Sequence, residues 1–354
     1  MKKQFKLILL FILIPFLGFS NDPDYIHTKQ KNIKKAYFVN SDAGLYIDNS
    51  YGNISVSTWD EDKTELDIII KVSGDNENWV NQRLNDIDVD IIALKGMITA
   101  KTILDNSSYK SNGKNNSFQI NYILKIPKNG SVKLYNKYGN ITTADLFSET
   151  EIKCKYGKIA LGRLFGNSNN IVVEYCSNST ISFLKNAAIT AKYSNLKIGE
   201  VTKLDLVSDY TDVDIQESDV VKYNSKYGNI KIQNVKNLDA TGNYLTLKIG
   251  ELATNLKLST KYSNVTIGTI TAKANTVTII AGYTGLNIGF DPNYAFDFNV
   301  SVKYATFKHD NELEINSKED SNNLKKYSGF YKKKGINNVS IISDYGNVIL
   351  VKKQ

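Results

Sequence analysis

The sequence predicts an all-β chain wound as a single-stranded β-solenoid, parallel β-helix-like, with one short helix in an N-terminal insertion. Three observations predict it. A tyrosine followed by a two-residue turn and an apolar alternation recurs along the chain. The recurrence keeps a period of about 17 to 21 residues over its regular part. Apolar and polar residues alternate around each tyrosine, which is the period of a strand and not of a helix.

The motif reads Tyr138-Gly-Asn-Ile, Tyr156-Gly-Lys-Ile, Tyr193-Ser-Asn-Leu, Tyr210-Thr-Asp-Val, Tyr227-Gly-Asn-Ile, Tyr244-Leu-Thr-Leu and Tyr262-Ser-Asn-Val. It continues at Tyr283, Tyr304 and Tyr345, and an early copy stands at Tyr51. From Tyr193 to Tyr262 the spacings are 17, 17, 17 and 18, and the next two are 21. With the tyrosine as position zero, Leu206 and Ser208 precede Tyr210 in the same phase, and Val213 and Ile215 follow it. The inward phase therefore reads −4, −2, 0, +3 and +5, with the tyrosine facing in. Its parity slips once, which requires a bend. Gly-Asn, Ser-Asn or Thr-Asp at +1 and +2 are the expected bend residues, because they tolerate turn conformations.

A unit of about 18 residues with two short strands cannot bury its own apolar side, whereas stacked units can. Helical repeats need longer periods, and the glycine-rich calcium-binding nonapeptide is missing. The pattern does not fix the handedness of the winding. Regular coils are expected over 131–309. Residues 21–130 read as N-terminal strands and insertions capping the stack, with a short helix near Asp75 to Asn85 N-capped by Asp75 or Asn76. The Asn, Ser, Lys and Gly run at 105–117 reads as a loop, and 310–354 as a loop insertion with a final capping coil.

Residues 1–20 have the parts of a secretory signal peptide. Lys2, Lys3 and Lys6 precede an apolar run from Leu7 to Leu17, and Gly18 and Ser20 supply small residues for cleavage. The alternative is an uncleaved anchor, but the run is about half the length a spanning helix needs. No later segment is long and apolar enough for one. The net charge of +8 falls to +5 once those lysines leave. That balance is too mild for a nucleic-acid binder.

Tyr51-Gly-Asn-Ile-Ser-Val-Ser-Thr-Trp-Asp is followed by alternating strands, the small helix and Ile123-Leu-Lys-Ile-Pro-Lys-Asn-Gly. Val132-Lys-Leu-Tyr-Asn-Lys-Tyr-Gly-Asn-Ile comes next. Together they resemble the adhesin-like β-solenoid domains of unknown function found in exported proteins of Bacteroidetes-type bacteria. The resemblance spans nearly all of the chain beyond residue 20. It implies the fold and an exported location, but brings no active site to transfer.

The candidate residues form columns. Tyr138, Tyr156, Tyr193, Tyr210, Tyr227, Tyr244, Tyr262 and Tyr283 are expected to stack as a structural ladder at about 4.8 Å. The alternative is an exposed aromatic stripe. Asn53, Asn140, Asn195, Asn229, Asn264 and Asn347 at +2 read as turn residues. Lys137, Lys155, Lys192, Lys226, Lys261 and Lys303, each just before the motif tyrosine, form a candidate contact stripe for an anionic ligand, interrupted by Asp209 and Asp344. A solvated face is the plainer reading of them. Lys325, Lys326, Lys332, Lys333 and Lys334 make a second basic cluster. Cys154 takes an inward slot, Cys176 is a candidate for a tyrosine slot, and the two are expected to stay unbridged, being one coil apart and laterally displaced.

No catalytic, cofactor or metal residues are expected. The only histidines, His27 and His309, are far apart, and Asp212, Asp214 and Asp219 are the nearest grouping of acids. The reading is an exported, non-enzymatic binding or scaffold protein that contacts an envelope glycan or protein, placed in the periplasm or at the outer-membrane periphery, with the cell surface or secretion as alternatives. A carbohydrate-active enzyme on the same fold is the alternative. An envelope-assembly or stress component is a third.

Overall fold

The computed structural model describes residues 25–105 and 115–353. The leader expected at 1–20 and most of the loop expected at 105–117 lie outside the described residues. The described chain is almost entirely strand: 24 strands in one sheet, and among the described residues one helix.

Its pairing explains the spacing of the motif. Ser179–Lys192 runs parallel to Asn195–Asp209, joining Ser179 to Leu196 and Lys192 to Asp209, a constant offset of 17 residues. Asn195–Asp209 pairs onward to Asp212–Lys261 with the same offset. Thr246 then meets Asn264 at an offset of 18, and Asn255 meets Thr276 at 21. Each residue thus stacks on its equivalent in the next tyrosine-centred segment.

The apolar slots fall into columns as a result. Ile181, Ile198 and Ile215 are successive register partners, as are Ile249, Ile267 and Ile288, and all six are buried. Slipping the register by one residue would turn every such side chain outward, so the aliphatic columns specify the pairing. Ile198→Ala should cost about 2–4 kcal/mol, read as a lowered denaturant midpoint.

The bend differs from expectation. The inward slots are −4, −2, +1, +3 and +5, and the tyrosine itself faces out. Around Tyr193, Ile189, Ala191, Ser194, Leu196 and Ile198 are buried while the ring is exposed. The parity slip occurs at position zero because every motif tyrosine adopts a left-handed backbone, with φ between 49° and 61°. One left-handed residue between two extended runs rotates the chain so that the next residue faces in. A bulky residue pays strain there, of order 1–2 kcal/mol. The glycines at +1 have ordinary φ and serve close approach: a Cβ on Gly139 would lie 1.7 Å from the Gly52 carbonyl oxygen.

Where +1 is not glycine, a hydroxyl commonly does the work. Thr211 Oγ1 accepts from the Ser194 N–H at 3.2 Å and donates to its own Asp209 carbonyl at 2.8 Å. Ser194 Oγ accepts in turn from the Cys176 N–H, and Thr284 Oγ1 from Ser263. Thr211→Val would strand a buried N–H, and we expect a loss of about 1–2 kcal/mol in thermal or denaturant unfolding.

The ends close with antiparallel strands. Asn116–Pro127, parallel to Ile54–Trp59, is followed outward by Lys63–Gly74 and the lysine-bearing edge strand His27–Phe38. Met97–Leu104 lies parallel to Gly44–Ser50, with Ile87–Leu94 antiparallel beyond it. The helix forms as expected, over Glu77–Asn85, with Asn76 Oδ1 accepting from the Trp79 N–H at 3.0 Å. At the opposite end the closing segment is not the cap expected for 310–354. Asn338–Asp344 inserts between Thr276–Gly282 and Phe296–Lys303, parallel to both. The end is covered instead by the hairpin Glu314–Ser321 and Leu324–Tyr331, whose second strand pairs antiparallel with Phe296–Lys303. The hairpin occupies the free edge of Phe296–Lys303, so no further segment can pair there.

Candidate functional site: the tyrosine edge and its flanking columns

Twelve tyrosines form one unbroken stack: Tyr51, Tyr138, Tyr156, Tyr175, Tyr193, Tyr210, Tyr227, Tyr244, Tyr262, Tyr283, Tyr345 and Tyr304. Centroids are 4.6–5.1 Å apart, and most planes lie within 12° of parallel. All eight ladder tyrosines expected from sequence are in it. Tyr175 was missed because Cys176-Ser177-Asn178 after it matches none of the other turns and offered the cysteine as an alternative occupant of the tyrosine slot; the cysteine takes the +1 slot instead.

The rings are 39–52% exposed, so the ladder is not the inward packing that strand alternation suggested. The left-handed backbone turns each ring out, where strand spacing lays it on its neighbours. Tyr304, last in the stack, is 51% exposed against 52% for Tyr283 inside it, and Tyr51 at the other end rests on Phe118 at 4.9 Å. Ring faces are therefore covered throughout, and solvent meets a column of edges and phenol hydroxyls. Burial of the ring, followed by the neighbouring phenols of Tyr227 and Tyr193 and the Asp209 carboxylate, pushes the Tyr210 phenol above its ordinary range.

The lysine stripe is also different from its expected form. Lys155, Glu174, Lys192, Asp209 and Lys226 are successive register partners, so the charge alternates along this part of the column. Glu174 belongs to the Tyr175 segment, which is why a count of lysines missed it. Lys155 binds Glu174 at 2.9 Å, and that contact raises its pKa. Lys137, Lys155 and Lys303 also lie over the rings of Tyr138, Tyr156 and Tyr304 at 4.9, 5.3 and 5.8 Å. Lys261 meets Gly282 in register, and Asp344 stands between Gly282 and Lys303. A ladder of alternating sign offers little net field to a polyanion.

The +2 residues act as a backbone ladder, in keeping with turn chemistry. Asn53 Oδ1 accepts from the Asn140 N–H, Asn140 Oδ1 from Lys158, Asp212 Oδ1 from Asn229 and Asn347 Oδ1 from Thr306, at 2.9–3.1 Å. Asp214 binds Lys231 at 3.3 Å and Asp219 binds Lys236 at 2.7 Å, so the acids grouped in the sequence are engaged along the stack. In the second basic cluster, Lys325 and Lys326 pair with Asp320 and Glu319.

Cys154 and Cys176 are buried free thiols. Cys176 Sγ lies 3.3 Å from the Cys154 carbonyl oxygen. The contact between the thiols, with burial, raises Cys154, and the same contact lowers Cys176.

A second aromatic column went unread in the sequence. Phe147, Phe165 and Phe183 stack at 5.2 and 5.4 Å, with Lys128 over the first and Arg163 over the other two. Their regular distance of eight or nine residues after a tyrosine was the available signal. The column continues into Glu200 and Glu217, register partners that line an open groove of about 520 Å³ with Asp219, Lys236 and Glu251.

No protein-family model and no curated protein matches the sequence. Among solved structures it is similar to a candidate cell adhesion protein from Clostridium sporogenes, at 10% identity over 91% of this chain and 100% of that one, TM-score 0.18. A candidate adhesin from Bacteroides fragilis is 17% identical over 67% of this chain and 96% of its own, TM-score 0.31. Another, from Parabacteroides distasonis, is 9% identical over 91% and 97%, TM-score 0.29. Among the described residues no helix is long and apolar enough to cross a membrane.

Proposed function

We propose that this chain is an exported, non-enzymatic β-solenoid of the cell envelope, in the periplasm or at the outer-membrane periphery, whose tyrosine edge is a contact surface for a protein partner. The winding is supported by register offsets that equal the motif spacings. Export is supported by the order of residues in 1–20. The observation that carries the contact surface is the exposed stack of twelve rings, about 50 Å long at one strand spacing per ring. Tyrosine combines a large rigid apolar body with a hydroxyl, which suits it to protein contacts. Covered ring faces leave no platform for a sugar to stack upon, so edges and hydroxyls favour a protein over a glycan on this surface.

Replacing Tyr193, Tyr210 and Tyr227 together by Phe keeps the stack and removes three hydroxyls. We expect the triple variant to fold normally and to bind isolated envelope fragments about tenfold or more weakly. Undiminished binding would rule out the tyrosine edge as the contact. Protease shaving of intact cells, with fractionation, tests the location.

The groove beside Glu200 and Glu217 favours a second reading, a glycosidase. Those partners stand on adjacent segments, one strand spacing of about 4.8 Å apart at the backbone, which places two carboxyl-bearing side chains side by side as a glycosidase pair requires. New reducing ends from a polysaccharide panel, lost in Glu217→Gln, would establish it in place of the binding role.

A further inference from the structure

A second groove, of about 810 Å³, runs along the sheet on the strands that lead into the tyrosines, and it belongs to neither surface described above. Five successive segments line it. One outward column is Lys203, Val220, Asn237, Asn255 and Thr276, and the other is Asp205, Lys222, Asp239, Lys257 and Thr278. Asn255 Nδ2 donates to Asn237 Oδ1 at 2.8 Å, so the first column is partly zipped as an amide ladder.

The second column behaves differently from other charged columns of this protein. Asp214 and Lys231, Asp219 and Lys236, and Lys155 and Glu174 stand one segment apart and close to 3.3, 2.7 and 2.9 Å. Asp205 and Lys222 are also register partners. Yet Asp205, Lys222, Asp239 and Lys257 make no ion pair or side-chain hydrogen bond among the described residues. They leave an acceptor, a donor, an acceptor and a donor facing the groove at intervals of one strand spacing.

We infer that this groove binds a neutral glycan chain lying along the stack, one sugar to a segment. Each position of the column asks for the opposite hydrogen-bonding role from the one before it. A hydroxyl both donates and accepts, so a polyhydroxylic chain satisfies every position, whereas a polyanion is repelled at Asp205 and Asp239. The monomer repeat of an extended pyranose chain is slightly longer than the strand spacing of about 4.8 Å, so successive sugars keep approximate step with successive segments. An extended peptide advances about 3.3 Å per residue and falls out of step within two segments. The inference goes beyond the tyrosine-edge reading and does not need it, because the two surfaces are separate.

The test is calorimetric titration of the purified chain with cello- and chito-oligosaccharides of graded length, from the dimer upward. Affinity should rise with length until the oligomer spans the five segments, then level off. Asp239→Ala combined with Lys222→Ala should weaken binding about tenfold or more, with circular dichroism and melting unchanged because both side chains are exposed. The triple tyrosine-to-phenylalanine variant should bind these oligosaccharides as tightly as the parent. The inference is overturned if no oligosaccharide binds, if affinity is independent of length, if the groove variant binds undiminished, or if Ser- and Asn-rich peptides bind better. Envelope fragments that bind the chain while every oligosaccharide fails would leave the tyrosine-edge reading standing and this one refuted.

Discussion

Gly139→Ala is expected to lower the denaturation free energy by about 3 kcal/mol and to fray the sheet between residues 44 and 160. The added methyl would sit 1.7 Å from the Gly52 carbonyl oxygen and 2.6 Å from its carbon. Both atoms are backbone, so no side-chain rotation relieves the clash. Gly157 stands in the same relation to the Gly139 carbonyl, at 2.0 Å, so a shift of Gly139 disturbs the contacts on both of its sides. Gly96, whose methyl would meet nothing within 4 Å, is the matched control. There, Gly96→Ala should leave the midpoint within about 0.5 kcal/mol of the parent. Urea denaturation of the three proteins decides the matter. Equal stabilities would mean that the glycines at +1 serve some purpose other than close approach.

Tyr210→Ala should cost about 2–3 kcal/mol, and Tyr210→Gly clearly less. Each loses the ring contacts to Tyr193 and Tyr227, at 5.1 and 4.6 Å, worth about 0.5–1.5 kcal/mol apiece. Alanine keeps the left-handed backbone penalty at φ 49°, whereas glycine adopts that conformation freely and recovers about 1 kcal/mol. The order parent, glycine, alanine in falling stability is therefore the signature of a strained tyrosine held by its neighbours. If alanine matched or exceeded glycine, backbone strain would have no part in the ladder. Tyr210→Phe should stay close to the parent, since the hydroxyl faces solvent.

Much of the fold was legible because its repeat is local and its core is periodic. The −4, −2, +3 and +5 slots were read correctly from the alternation around Tyr193 and Tyr210, and the helix after Asn76 from its cap. The direction of the tyrosine was not legible. Alternation assigns faces only while the backbone stays extended, and the residue that leaves that conformation is the tyrosine, a poor intrinsic candidate for positive φ. Propensity pointed to the Gly and Asn beside it. Glycine is present there for a different reason, the approach of a carbonyl from the next segment, which no local signal reveals.

The candidate surface divides in the same way. The spacing of 17 and 18 residues already implied that side chains seventeen apart would stack, so the existence of columns belonged to the sequence. Their character did not. Glu174 joins the lysine column only through the Tyr175 segment, and Asn338–Asp344 enters the ladder ahead of Phe296–Lys303, although it follows it in the chain. Neither can be seen without knowing which strand lies beside which.

By itself the sequence determined the period, the strand-turn-strand unit and the aliphatic interior, because hydrophobic alternation at a constant interval has one economical way to be buried. Only the tertiary structure decided which way the rings point, which charges become neighbours and which acids and lysines stand apart across a groove. Those outcomes depend on a single left-handed residue per segment and on the order of stacking, and both are settled by contacts between segments distant in the chain.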